Sequence, residues 1–175
     1  VSYKGYEYLI KAMVHLPQEY VLLIGGKGPL KQELQELIDR LGLQERVKLL
    51  GFISDTLKPA YFGACDVFCL SSTLKTEAYA IVQVEAMSLG RPIVATEIPG
   101  SGVAWVNAHQ ESGLNVPIED APALAQAIQK ICQDPELWSS YSKGSRQRFF
   151  EVFTKDEMIN QLIHIYTELL HPTIP

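Results

Sequence analysis

Tyr20-Val21-Leu22-Leu23-Ile24 is an unbroken apolar run that stops at Gly25-Gly26, and no other feature constrains the fold as strongly. A strand wetted on one face alternates apolar and polar residues. A continuous run instead predicts a strand buried on both faces, as in parallel sheets covered by helices. The flanks agree. Upstream, Tyr6, Leu9, Ile10, Met13 and Val14 repeat at helical spacing until Leu16-Pro17. Downstream, Leu30, Leu34, Leu37, Ile38 and Leu41 share one helical face, and Gly42 is a fitting stop.

The alternation continues along the chain. Val47–Phe52, Asp66–Leu70, Pro92–Thr96 and Leu114–Val116 read as further short strands. Helices over Asp55–Phe62 and Ala78–Leu89 lie between them, and from Ala121 the pattern is helical to the end. Met158, Leu162, Ile165 and Leu169 line a last helix, a stripe expected to pack on a core or, in part, to form an interdomain surface, and Pro172 and Pro175 finish the tail. Short strand–helix connections predict an α/β fold: a Rossmann-like, doubly wound parallel sheet of about six strands with helices on both faces. There is no internal repeat and no internal linker, so residues 1–175 read as a single domain.

Composition removes several function classes. With 175 residues and 47% apolar content, the chain can build one sizeable core and is not a disordered segment. Fifteen Lys and Arg against twenty Asp and Glu give a net charge of −5, so nucleic acid is not an expected partner. Cys65, Cys69 and Cys132 form no disulfide framework and no metal spacing; they read as core thiols of a protein in the reducing cytoplasm. His15, His109, His164 and His171 show no ligand pairing, so no metal is expected. No apolar run approaches the roughly 18 residues a membrane helix needs.

In such sheets ligands bind beyond the carboxyl ends of the strands. The loops that matter are therefore Gly25–Pro29, Gly51–Asp55, Ser71–Ala78 and Glu97–Gly102. Gly25-Gly26-Lys27-Gly28-Pro29 joins a strand to a helix, where glycines admit a ligand and free helix amides attract anions; a plain tight turn is the alternative. It is neither a Walker A loop nor a dinucleotide fingerprint, which argues against a dehydrogenase. Lys4-Gly5 sits at the mouth of the first helix, where the lysine either neutralises a phosphate or is simply solvated. Gly100-Ser101-Gly102 is not a hydrolase nucleophile elbow.

Glu77 and Glu85 are the most informative pair. Eight residues along a helix span on the order of 12 Å, too far for a glycosidase pair at roughly 5 to 9.5 Å. That separation suits the two ends of an extended nucleotide-sugar. Glu85 could accept both ribose hydroxyl protons, Glu77 could hold the sugar hydroxyls, and the amides of Tyr79, Ala80 and Ile81 would face the diphosphate. A capping acid and a surface glutamate are the plain alternatives. Against them, Val82, Val84, Ala86 and Met87 surround Glu85 in sequence, an apolar setting in which an unpaired carboxylate is costly.

Lys4-Gly5, Gly25-x-x-Gly28-Pro29, Arg46-Val47, Gly51-Phe52, Ala64-Cys-Asp66-Val67, Glu77-x7-Glu85, Gly90-Arg-Pro92-Ile-Val-Ala-Thr96, Pro99-Gly100 and Ser112-Gly113-Leu114 occur in this order. Over nearly its whole length the chain resembles the C-terminal, donor-binding half of a retaining glycosyltransferase of family 4 (glycosyl transferases group 1), with the GT-B architecture. The resemblance implies that Lys4 contacts the donor diphosphate. It implies that Glu77 is the acidic, catalytic-site residue beside the transferred sugar, and Glu85 the ribose ligand. The backbone after Phe52, around Ile53, would line the base, and Tyr79, Ala80 and Ile81 would present amides to phosphate and sugar. Gly28 belongs to the glycine loop of the same site.

The resemblance also implies front-face displacement, in which the leaving diphosphate helps deprotonate the acceptor, with no cofactor and no metal. Expected partners are a nucleotide-diphospho-sugar, a sugar or lipid-linked acceptor, and the chain's own N-terminal domain. Val1-Ser2-Tyr3 reads as the tail of a loop, so the chain is expected to be a fragment, inactive alone, whose acceptor-binding domain is absent. Attachment to the inner face of the membrane would belong to that other half. Two departures from the family pattern stand out: Ala80 replaces a usual Gly, and Ser101 interrupts a Gly pair. The alternatives are a nucleotide-sugar epimerase of the same architecture and a non-catalytic nucleotide-binding module.

Overall fold

The structure is a computed structural model that describes residues 2–170; Val1, His171, Pro172 and Pro175 lie outside them. A 3-10 turn at Ser2–Lys4 leads into α1 (Tyr6–Ala12), and β1 (Leu22–Gly25), α2 (Lys31–Arg40) and β2 (Val47–Gly51) follow. Next come α3 (Lys58–Ala64), β3 (Phe68–Leu70), α4 (Ile81–Ser88), β4 (Ile93–Glu97), α5 (Val103–Val106) and β5 (Gly113–Pro117). The chain closes with α6 (Ala121–Gln133), α7 (Pro135–Arg148), a π turn at Phe149–Phe153 and α8 (Lys155–Leu170).

All strand pairs are parallel. β1 pairs with β2, Leu22 opposite Val47, and β3, β4 and β5 pair in that order, Phe68 opposite Ile93 and Ile93 opposite Gly113. Helices cover both faces, as the apolar runs require. On β4, Val94 packs with α1 and α6, whereas Ile93 and Ala95 pack with α4 and α5, the two-residue period of a strand. All three are fully buried. Truncating a residue such as Ile93 to Ala would cost about 2 to 5 kcal/mol.

Side-chain caps set the starts of α6 and α7. Asp120 Oδ1 accepts from Ala123 N, and Asp134 Oδ1 accepts from the amides of Glu136 and Leu137. Arg46 is buried, and its guanidinium donates to the carbonyls of Leu16, Pro17 and Tyr20, fixing the turn between α1 and β1.

The described residues hold five strands, close to the expected six, hydrogen-bonded as a two-stranded and a three-stranded set. Three expectations are corrected. The run Tyr20–Ile24 is not buried on both faces, for Val21 is 60% and Leu23 48% exposed. The reason is an unpaired edge: among the described residues no strand lies beside β1 on the side away from β2. The stripe Met158, Leu162, Ile165 and Leu169 does not pack on a core, because no residue of α8 is buried and all four of these are exposed. The three cysteines are half-buried and line an open cleft rather than a closed core.

Candidate donor site

The site begins with a stitch between the amino-terminal turn and the loop after β3. Thr73 N donates to Tyr3 O at 2.8 Å, and Ser71 Oγ donates to Lys4 O at 3.0 Å. Gly5 makes this approach possible. Its φ of +62° is left-handed, and a Cβ there would lie 2.0 Å from Ser71 O. Lys4 is thereby held beside the loop, and its Nζ donates to Glu77 Oε2 at 2.5 Å.

Glu77 is 7% exposed and its Oε2 also accepts from Ser72 Oγ at 2.8 Å. Burial would lower the Lys4 pKa, but the hydrogen bond and charge of Glu77 outweigh it and hold the ammonium above its ordinary 10.5. A cation and a nearly buried carboxylate therefore meet at the carboxyl edge, each ready to exchange its partner for a ligand group of opposite character.

Glu77 lies before α4 rather than on it, since α4 begins at Ile81 and not at Ala78. The break is at Ala80, which caps the helix with φ 56° and ψ 66°. A left-handed Ala costs about 1 to 2 kcal/mol, so its replacement of the usual Gly is not without effect. No side chain caps α4, which leaves its first amides facing the carboxyl edge. Tyr79 and Ile81 are exposed and Ala80 is buried. Ser101 clasps the same loop from the other side, its Oγ donating to Glu77 O and accepting from Val103 N.

Glu85 is one turn into α4 but is neither unpaired nor buried in apolar surroundings. It is 37% exposed at the side chain, and Lys58 Nζ donates to its Oε1 at 2.8 Å and reaches Asp55 Oδ1 at 3.0 Å. Phe52 is 68% exposed, with Lys27 Nζ 5.2 Å from the ring centroid. Ile53 packs so closely on Gly25 that a Cβ there would meet its Cδ1 at 2.5 Å. The Gly25–Gly28 loop, Phe52 and Ile53 thus form one end of the site, with exposed Gly28 in the same loop. Glu85 with Lys58 stands at its border and Lys4 with Glu77 forms a second centre.

The glycosyl transferases group 1 family model matches residues 1–148. The chain belongs to that family. It is 34% identical over 170 residues to the O-antigen chain mannosyltransferase C of Escherichia coli, covering 96% of this chain and 44% of that protein. The sucrose-phosphate synthase of Thermosynechococcus elongatus superposes with a TM-score of 0.84 at 30% identity, over 97% of this chain and 43% of that one. Anabaena Alr3699/HepE, solved in complex with UDP-glucose, superposes with a TM-score of 0.85 at 26% identity, over 96% and 46%. The group 1 chain thus has the GT-B-type α/β architecture and spans less than half the length of these relatives.

Three residues of this glycosyl transferases group 1 chain escaped the sequence reading as site members: Ser72, Lys58 and Ser101. Ser72 had no signal, being one polar residue of a polar loop. Lys58 had a weak one, since a buried Glu85 would have required a cation. Among the described residues no group of three His, Cys, Asp or Glu is placed to hold a metal ion. No helix among them is long and apolar enough to cross a membrane.

Proposed function

We propose that the chain is the donor-binding domain of a retaining glycosyltransferase of family 4, holding a nucleotide-diphospho-sugar for transfer to a surface polysaccharide or glycolipid acceptor. The observation that carries this is the Lys4–Glu77 pair at the open N-terminus of α4, with Glu85 farther along the same helix. In this reading the diphosphate takes Lys4 and the amides at Tyr79, Ala80 and Ile81. Glu77, released from Lys4, accepts the sugar hydroxyls, and Glu85 accepts the ribose hydroxyls in place of Lys58. Phe52, Ile53 and Gly28 border the base.

Catalysis of this kind is positioning and charge stabilisation: Lys4 and helix amides stabilise the departing diphosphate while Glu77 orients the sugar. The reading calls for no cofactor and no metal. Acceptor binding belongs to another domain of the longer protein, which would also supply any attachment to the inner membrane face, so this chain alone transfers nothing. An Escherichia coli relative named for O-antigen chain mannosyl transfer supports the polysaccharide class.

Calorimetric titration with UDP, GDP and ADP tests the reading, first on the longer protein and then on its Glu85→Ala variant. One nucleotide is expected to bind, and Glu85→Ala is expected to weaken it by about 1.5 to 3 kcal/mol. Equal binding by the variant would remove the ribose role, and absence of binding by all three would remove the donor reading.

A further inference from the structure

Gln83 lies in the first turn of α4 and is fully buried, an uncommon place for an amide side chain. Its hydrogen bonding is poor. Nε2 donates to Val103 O at 3.4 Å, longer than an ordinary N–H···O bond, and Oε1 has no partner among the described residues. An unpaired buried oxygen lowers stability, and an apolar side chain of the same shape would remove that cost. Fold stability alone therefore does not account for Gln83. Such a group calls for another reason, and the bonds around Val103 supply one.

Val103 ends a short clasp. Its N–H donates to Ser101 Oγ, and the same hydroxyl donates to Glu77 O. Gly102 N donates to Ala78 O at 2.8 Å. The fit there is close, for a Cβ on Gly102 would lie 2.9 Å from Ala78 O. Residues 101–103 thus hold the main chain at Glu77 and Ala78, and Gln83 reaches the far end of that clasp from α4. Gln83 N also donates to Ala80 O at 2.8 Å, across the left-handed residue that starts the helix. One residue therefore bonds both to the start of α4 and to the loop that fixes Glu77.

We infer that Gln83 is a positioning residue for Glu77, acting through Val103 and Ser101 without touching the donor. The inference rests on the donor reading given above. In the structure Lys4 and Ser72 hold the Glu77 carboxylate. Once a diphosphate takes Lys4, only Ser72 and the main-chain clasp hold Glu77 in place. Gln83 then matters most with donor bound, where a displacement of about 1 Å costs on the order of 100-fold in rate.

Gln83→Met in the longer protein tests this, because it keeps the length of the side chain and removes both polar atoms. The variant is expected to melt at the same or a higher temperature. Affinity for UDP, GDP or ADP, whichever binds, is expected to stay within about twofold. Turnover of UDP-glucose, GDP-mannose or ADP-glucose is followed as nucleoside diphosphate released to water. Its kcat is expected to fall about tenfold or more, with KM little changed. Amide hydrogen exchange gives a reading that needs no turnover: Gly102 and Val103 are expected to exchange about tenfold faster, while β4 stays protected.

A lower melting temperature with nucleotide affinity falling alongside would make Gln83 a packing residue and overturn the inference. So would an unchanged kcat, or unchanged exchange at those two amides. Adding Ser101→Ala is expected to cost little beyond the larger single loss, and fully additive losses would overturn the shared clasp. Failure of the unaltered longer protein to bind any of the three nucleotides would remove the donor reading itself, and the role of Gln83 with it.

Discussion

Lys4 Nζ lies 2.5 Å from Glu77 Oε2 across 73 residues of sequence, and this ion pair ties the start of the chain to the mouth of α4. The two partners are unequal. Lys4 is about one quarter exposed at its side chain, whereas the Glu77 side chain is 10% exposed and keeps only Ser72 if Lys4 is removed. A nearly buried carboxylate left so poorly matched costs about 1 to 3 kcal/mol.

Lys4→Met is therefore expected to lower stability by that amount in denaturant unfolding and to weaken nucleoside diphosphate binding. Glu77→Gln separates the two roles. It frees the Lys4 ammonium, so affinity for the bare nucleoside diphosphate holds or rises in calorimetry. Sugar transfer by the longer protein falls at least about tenfold, because lost charge-assisted hydrogen bonds are worth roughly 1.5 to 3 kcal/mol.

The pH dependence of the pair has a definite sign. Although burial favours the neutral amine, Glu77 raises the Lys4 pKa above its ordinary 10.5 in the folded chain. The pair's contribution is then fully present below that ordinary value and is lost as pH rises through the folded one. The stability difference between the unaltered chain and Lys4→Met should be flat from pH 7 to about 10 and shrink only above about 10.5, as read from unfolding curves.

Ala80→Gly relieves a left-handed Ala at the start of α4. The conformational gain of about 1 to 2 kcal/mol is partly offset by the greater freedom of Gly in the unfolded chain. A net stabilisation of about 0.5 to 1 kcal/mol is expected, raising the melting temperature by about 1 to 4 °C.

Gly5→Ala has the opposite outcome. A Cβ placed 2.0 Å from Ser71 O at φ +62° must push the amino-terminal turn off the loop. The loss of stability is expected to exceed about 1 kcal/mol. Nucleotide affinity should fall with it, since Lys4 moves away from Glu77.

Lys58→Met tests whether the cation on Glu85 competes with a ribose. Exposed ion pairs contribute little to stability, so stability hardly changes. Nucleotide affinity is expected to rise up to about fivefold at low salt, and the gain should vanish as salt screens the pair in the unaltered chain. A fall in affinity would instead make Lys58 a direct donor ligand.

Local patterns were legible because they are carried by neighbouring residues. The five strand runs, the helices between them and the loops at the strands' carboxyl ends follow from apolar continuity, spacing and glycine stops. Lys4, Glu77 and Glu85 were singled out, but their partners were not. Ser72 and Lys58 reach them only through the loop after β3 and through α3, and sequence spacing carries no record of such contacts. The unbroken run at Tyr20–Ile24 was read as wholly buried, yet Val21 and Leu23 face outward where β1 has one neighbour instead of two.

By itself the sequence determined the class of fold, the order of its elements and which acids and lysine stand near the carboxyl end of the sheet. These are properties of hydrophobic period and turn chemistry, which act over a few residues. Tertiary structure alone decided that Lys4 meets Glu77, that Glu85 is held by Lys58, and that Ala80 must turn left-handed to start α4. It also decided that a cleft separates β1 from β3. Each depends on the distance between segments far apart in sequence, where packing and backbone pairing, rather than local preference, set the free energy.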